Sequence, residues 1–339
     1  MRFKSEWREN DTMEAEDMQV VQVTKFGGPE VLAAAQLPDP VAGAGEVVIA
    51  TAAADVLFLD TMVRGGGGGE FFPVQPPYVP GGGVVGEVVA AGQGADPALL
   101  GTTVIARLSG GGYAERVAVA ADRAHRVPAG VDPRLAVALL HDGVTALSLA
   151  ERGRIQPGER VLVTAAGGGL GLLLVQLAKA AGAQVVGAAR GERKLALIRA
   201  QGADAVVDYS EEDWTERVRE ATGGRGLDLV LDGAGGQVGA AAFALTANGG
   251  RFSAHGTPSG EFAPVEAEEA ARRGITLWGI EAVQFDPEED ARLTAQVLAE
   301  AAAGRLRPVI GQTFPLSAAA EAHAAIESRR ALGKTLLLI

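Results

Sequence analysis

The segment Val161-Leu-Val-Thr-Ala-Ala-Gly-Gly-Gly-Leu-Gly171 runs an apolar strand into a glycine turn and then a helix. Within it, Ala166, Gly168 and Gly171 hold the places of G-x-G-x-x-G, with Ala at the first. Gly168 lets the backbone approach a pyrophosphate, and Gly171 lets the helix pack on the strand. Gly169 and Leu170 open that helix, whose free N–H groups and positive dipole end suit phosphate. The pattern alone is weak; strand before and helix after make it a dinucleotide fingerprint. The following strand, 184–188, should end beside the adenosine ribose, where NAD-binding chains carry Asp or Glu. This chain reads Gly187-Ala-Ala-Arg-Gly-Glu-Arg-Lys194, so Ala189 takes the acidic position. Arg190 offers a planar fork to a 2′-phosphate and Lys194 a point charge. NADPH is therefore expected over NADH, with Glu192 the acidic neighbour able to reach a ribose. Arg193 reads as a solvated helix start. Tyr209, just past the third strand, either covers the same phosphate or packs as an edge aromatic.

The elements that must position these groups follow from periodicity. Residues 18–24 alternate as a half-buried strand. From there to about 140, short strands at 46–51, 83–90, 102–106 and 113–119 alternate with Gly/Pro turns, as in a barrel-like unit. The texture changes near 134. Helical spacing over 134–152 leads into strands at 161–165, 184–188, 205–207, 227–231, 250–254 and 275–279, with helices between the earlier ones. Almost wholly apolar strands alternating with helices predict a parallel sheet covered on both faces. An amphipathic helix over 288–303, a helix over 317–328 and strands at 309–314 and 335–338 close the chain. The expected fold is α/β, with a β-rich domain split in sequence around a doubly wound domain.

Composition narrows the function classes. A chain of 339 residues suggests about two domains. It has no Cys, which removes disulfides, thiolate zinc sites, iron–sulfur clusters and a cysteine nucleophile. A net charge of −12 disfavours nucleic acid or an anionic membrane as partner. No apolar run reaches the ~18 residues of a membrane span, and residues 1–17 show no signal sequence. A cytoplasmic protein with a flexible head at 1–17 is expected.

The chain resembles the medium-chain dehydrogenase/reductases, in particular their zinc-free quinone oxidoreductase-like branch. The resemblance rests on Phe26-Gly-Gly-Pro-Glu-Val-Leu32, Asp60-Thr-Met-Val-Arg64, Pro80-Gly81, Gly112-Tyr-Ala-Glu115, Asp142-Gly-Val-Thr-Ala146, the stretch 166–179, Gly202-Ala-Asp204, and Gly333-Lys334-Thr335. It implies a GroES-like barrel domain at 18–140 and 283–339 enclosing a Rossmann NADPH-binding domain at 141–282. It implies a homodimer or homotetramer. The zinc dehydrogenases of the family use Cys and His ligands, a site this sequence cannot build. Without zinc to polarise an oxygen, substrates must accept hydride unaided, as quinones and conjugated enones do.

By the same resemblance, Thr145 lines the nicotinamide end, and Gly256 and Lys334 approach the cofactor. His141 and Asp142, two titratable groups at a domain junction, are candidates for substrate contacts or proton donation. His255 faces the same cleft. Asp142, Thr145 and His255 form the candidate catalytic set. Leu57, Asp60, Arg64, Phe71, Phe72 and His141 form the candidate substrate pocket, with no metal. Asp60 and Arg64 are expected to hold the adjoining loop as an ion pair. His125 and His323 read as structural. The family commonly has Asn at the Leu57 position, and the enoyl reductase relatives have Tyr shortly after the Arg64 position. Here that loop is glycine-rich and ends in Phe71-Phe72, which implies an apolar pocket. The five glycines at 65–69 suggest a lid over the cleft. The function expected is NADPH-dependent, zinc-independent hydride transfer to a quinone or α,β-unsaturated carbonyl compound. Two other readings stand beside it: a tailoring reductase for one biosynthetic enoyl or keto intermediate, and a non-catalytic NADPH-binding regulator.

Overall fold

Strand Arg160–Val163 is apolar after its first residue because it lies at the centre of a sheet covered on both faces. The structure, a computed structural model, describes residues 17–69 and 72–339. The expected head at 1–17 therefore lies outside the described residues, apart from Asp17. That residue already begins β1 (Asp17–Val23), which pairs antiparallel with β2 (Leu32–Pro38). There follow β3 (Glu46–Val56), α1 (Phe58–Arg64), β4 (Gly83–Ala91), β5 (Thr103–Arg107), β6 (Arg116–Ala120) and β7 (Ala124–Arg126). Helices α2 (Pro133–Leu140) and α3 (Asp142–Gly153) meet at His141. The single helical run expected over 134–152 is thus two helices, and His141 sits at the joint.

The inserted unit alternates without interruption through β8 (Arg160–Val163), α4 (Gly169–Ala180), β9 (Gln184–Ala189), α5 (Glu192–Ala200) and β10 (Ala205–Asp208). Its second half runs through α6 (Trp214–Ala221), β11 (Leu227–Asp232), α7 (Gly236–Leu245), β12 (Thr246–Ala254), α8 (Ala267–Arg272) and β13 (Thr276–Trp278). The strand order is β10-β9-β8-β11-β12-β13, all parallel. This is the doubly wound dinucleotide arrangement, whose crevice opens where the order reverses, between β8 and β11. One face of the sheet buries Leu172, Val175, Val185 and Leu231 against α3 and α4; the other buries Val207, Trp214, Phe243 and Phe252.

The chain then returns through α9 (Pro287–Ala302), β14 (Ile310–Pro315), α10 (Ala319–Glu327) and β15 (Lys334–Leu338). Strands β14 and β15 complete a sheet of order β14-β15-β3-β4-β5-β7, with β6 paired to the first half of β3 on the same edge as β15. The barrel unit is therefore split in sequence, as expected. Its core is Val20, Val47, Ile49, Val84, Val88, Val104 and Leu337. Helix α9 straddles the two units: Leu293 and Val297 pack with α3 and α4, while Leu298 packs with α2 and Leu336. No helix among the described residues is long and apolar enough to cross a membrane.

Candidate active site

A cleft runs between the two units, and the glycine turn forms its floor. Beyond β8 the backbone turns through Ala165, a left-handed residue at φ 49°, into Gly168 at the N-terminus of α4. A methyl group on Gly168 would find its nearest neighbour, Ala165 O, at 3.6 Å, so the turn is open above this residue. A methyl on Gly171 would lie 2.6 Å from Ala166 Cα, so helix and strand touch there. The N–H groups of Gly169, Leu170 and Gly171 have no acceptor within the helix and face the cleft. The end of the chain clamps this turn from across the cleft: Gly333 N–H donates to Gly167 O at 2.9 Å.

At one end of the cleft, Arg190, Lys194 and Tyr209 gather beyond the ends of β9 and β10. Arg329, just past α10, joins them from the barrel unit. Its guanidinium stacks 5.2 Å over the Phe58 ring and donates to Pro258 O. Burial lowers the Lys194 ammonium pKa, and the nearby positive charges of Arg329 and Arg190 lower it further. Burial and Arg190 act the same way on Arg329. Three mutually repelling cations thus converge where an anion would relieve them. Glu192 is turned away, accepting from Arg199 at 2.5 Å on the outside of α5. Asp208 is spent on the turn, accepting from Gly191 N at 2.8 Å and Ser210 N at 2.9 Å.

Where β8 and β11 part, Thr164 donates to Asp232 Oδ1 at 2.5 Å and accepts from the N–H groups of Gly233 and Ala234. This fixes the loop that carries the chain toward α7. Gly256, after β12, approaches so closely that a methyl group there would lie 2.1 Å from Gly233 O. His255 lines the cleft beside it, and its Nδ1 lies 3.1 Å from Ser253 Oγ. Burial lowers its pKa to about 4, so the imidazole is neutral near pH 7.

Against the glycine turn lies a charge cluster drawn from β3, β15, α3 and the joint of α2 and α3; a methyl group on Gly169 would lie 2.1 Å from Asp142 Oδ2. Lys334 Nζ, at the start of β15, lies 3.1 Å from Asp55 Oδ2 and 3.3 Å from Asp142 Oδ2. His141 Nδ1 lies 2.9 Å from Asp55 Oδ2. Asp55 and Lys334 are buried, and His141 and Asp142 each keep 17% side-chain exposure toward the cleft. Burial pushes the Asp55 carboxyl up, but the charges of Lys334 and His141 outweigh it and hold the group well below the usual carboxylate range. Burial likewise opposes the charged form of Lys334, and Asp142 and Asp55 overcome it, so its pKa is raised. Asp142 is thus the salt-bridge partner of Lys334, and the helix it begins has no side-chain cap. Thr145 lines the cleft one turn further along α3.

The walls beside this cluster are apolar, formed by Leu57, Met62, Val63 and Phe72, the last 45% exposed at the rim. Phe71 lies outside the described residues, and Gly67 and Gly68 line the mouth. The ion pair expected between Asp60 and Arg64 is not formed. Asp60 accepts the Leu57 N–H at 2.8 Å, capping α1. Burial raises its pKa to about 7. Arg64 is 1% exposed and absent from the cleft. It pairs with Glu327 and donates to Gly27 O at 2.8 Å, which ties α1 to α10 and the first turn of the chain. Arg64 and Asp60 lie one helical turn apart, but a fully buried guanidinium is held by the partner on the next helix. His323 is buried against Tyr113 OH at 2.9 Å, while His125 lies on the cleft wall.

Sequence reasoning missed Asp55, Arg329 and Arg107, all of which line or adjoin the cleft. Asp55 carried a signal, as the one charge in the interior of the apolar run 47–57. Arg329 carried none, because its place depends on how α10 docks. Among the described residues, no group of three or more His, Asp or Glu side chains is arranged to hold a metal ion.

A family model described as a zinc-binding dehydrogenase matches residues 169–298, and one described as an alcohol dehydrogenase GroES-like domain matches residues 43–129. A quinone oxidoreductase from Sus scrofa is 31% identical over 331 residues, covering 95% of this chain and 98% of its own. A 2-haloacrylate reductase from a Burkholderia species is 30% identical over 327 residues, covering 93% of this chain and 97% of its own. The crystal structure of Escherichia coli quinone oxidoreductase complexed with NADPH aligns at a TM-score of 0.87 and 28% identity, over 95% of this chain and 100% of that one. With its glycine turn at the switch point and its split barrel, the chain belongs to the medium-chain dehydrogenase/reductase family of oxidoreductases, in the quinone oxidoreductase-like branch.

Proposed function

We propose that this protein is an NADPH-dependent reductase that passes hydride, without zinc, to a quinone or an α,β-unsaturated carbonyl compound. The observation that carries the reading is the convergence of Arg190, Lys194 and Arg329 at one end of the cleft, with no carboxylate at the Ala189 position. These cations would hold a 2′-phosphate. The open turn at Gly168 and the N–H groups of Gly169, Leu170 and Gly171 would take the pyrophosphate. NADPH, when bound, supplies a hydride, and the chain supplies position and dryness.

Zinc does not fit these residues. The sequence has no Cys, and the described residues offer no cluster of donors. Leu57, Met62 and Phe72 give the substrate end an apolar lining suited to a flat conjugated acceptor. The NADPH complex of the Escherichia coli relative and the name of the Burkholderia relative agree with this reading. The same reading makes the protein a homodimer or homotetramer. The test is NADPH oxidation with a panel of quinones and enones, with and without a metal chelator. Turnover that prefers NADPH over NADH and ignores the chelator is expected. No oxidation with any acceptor, or loss of activity on chelation, would contradict the reading.

A further inference from the structure

The geometry points to His141 as the group that delivers a proton to the reduced substrate, with Asp55 as the residue that positions it. The inference rests on the reductase reading above and narrows it to conjugated carbonyl substrates. His141 sits at the joint of α2 and α3, and its ring stands at the edge of the cleft. Its Nδ1 is held by Asp55 at 2.9 Å, which fixes the ring and turns the opposite edge outward. Nε2 has no hydrogen bond among the described residues. Gly82 and Gly83 face that edge. A methyl on Gly82 would lie 3.4 Å from Nε2, and one on Gly83 would lie 3.0 Å from Cε1. Two glycines thus leave the Nε2 edge uncovered beside the apolar wall.

Charged groups surround the ring. Asp55 on β3 and Asp142 on α3 face Lys334 on β15, leaving one carboxylate in excess. A protonated His141 brings the four groups to neutrality. Arg107 on β5 donates to Leu140 O at 2.8 Å, and Asp290 on α9 lies 3.3 Å from it, so that pair adds no net charge. The other titratable groups nearby include Asp60 on α1, whose neutral form burial favours, the phenols of Tyr113 and Tyr78, which burial keeps neutral, and His125 on the cleft wall.

In the step envisaged, NADPH, when bound, would lose its hydride and become NADP+, and that hydride would form a C–H bond at the β-carbon of an enone. The alkene electron pair moves toward the carbonyl and gives an enolate. The His141 Nε2–H bond breaks, its proton goes to the α-carbon, and the neutral ring keeps Nδ1–H on Asp55. Solvent in the cleft restores the proton. An enolate is strongly basic and gains from a placed acid, a gain of roughly 10²–10⁴-fold for general acid catalysis. The anion left by a quinone is an aromatic phenolate that water can protonate, and it gains little.

The test compares wild type, His141→Gln and Asp55→Asn on cyclohexenone and benzoquinone, with NADPH affinity measured in parallel. His141→Gln is expected to lose about 10²-fold or more in kcat on the enone and far less on the quinone, with NADPH affinity kept. In wild type the enone rate should fall as pH rises through one ionisation, and that limb should vanish in His141→Gln. Asp55→Asn removes the carboxylate that holds Nδ1, so kcat on the enone should fall while quinone turnover changes less. Equal losses on both acceptors, or an unchanged pH profile in His141→Gln, would overturn the assignment. Quinone turnover without enone reduction by wild type would overturn it while leaving the reductase reading intact. Failure with every acceptor would remove both.

Discussion

Lys334 Nζ lies 3.1 Å from Asp55 Oδ2, with Lys334 3% exposed and Asp55 sealed from solvent. The pair joins the last strand of the chain to the third across the floor of the cleft. Lys334→Met would leave the Asp55 and Asp142 carboxylates without their cation. Removing one partner of a buried pair costs about 3–5 kcal/mol. Denaturant unfolding near pH 7 should show a loss of that order, and Lys334→Met with Asp55→Asn should recover part of it. The Asp55 pKa is depressed on folding, so this contribution is fully present above the unfolded value of 3.8 and drains away as pH falls below it.

The two most buried histidines make a separate contribution to acid stability. Burial lowers His255 to about 4 and His323 to about 3, against 6.5 in the unfolded chain. Between those values the unfolded state binds more protons, so stability falls as pH falls. Each imidazole contributes a slope of up to about 1.4 kcal/mol per pH unit. Unfolding midpoints measured from pH 7 down to pH 4 should fall in wild type and fall less steeply in His255→Gln.

Asp60 has the opposite sign. Its pKa rises on folding from 3.8 to about 7, so the native state holds the proton longer. Stability from this group is lost as pH rises toward and through 7. Asp60→Asn keeps an acceptor for the Leu57 N–H and removes the titration. Its unfolding midpoint relative to wild type should improve from pH 5 to pH 8, and a constant difference would contradict the burial argument.

The glycine turn separates binding from folding. Gly168→Ala adds a methyl group where the nearest neighbour is 3.6 Å away, at a backbone geometry of φ −87° that alanine adopts freely. Thermal stability should stay near wild type while NADPH affinity drops, because the methyl group fills the phosphate cradle. Gly171→Ala puts its methyl 2.6 Å from Ala166 Cα, and backbone cannot yield cheaply. It should destabilise by about 1–3 kcal/mol as an overpacked contact. The melting temperatures of the two variants, set beside their NADPH titrations, check this split.

What the sequence disclosed followed from how local each signal was. The turn at 166–171 and the alternating strands and helices of the parallel sheet are encoded within a few dozen residues, and periodicity exposes them. Strand β2, Leu32-Ala-Ala-Ala-Gln-Leu-Pro38, has no alternation to find, and it is a strand because β1 pairs with it. The charge cluster was legible only in pieces. His141 and Asp142 stood out by type and Lys334 by its Gly-Lys-Thr motif, while Asp55 was hidden in an apolar strand and meets them only when β3, β15 and α3 converge. Arg64 shows the limit most plainly. Its neighbour in sequence suggested Asp60, but its partner Glu327 comes from a helix near the other end of the chain.

The central claim is that the cleft takes the 2′-phosphate of NADPH at Arg190, Lys194 and Arg329. The measurement is a fluorescence titration with NADPH and with NADH, repeated on Arg190→Ala and Arg329→Ala. Hydrogen bonds to charged groups are worth about 1.5–3 kcal/mol. Each variant should therefore weaken NADPH binding roughly 10- to 100-fold while leaving NADH binding near its wild-type value. Equal affinity for the two cofactors in wild type, untouched by either substitution, would contradict the claim.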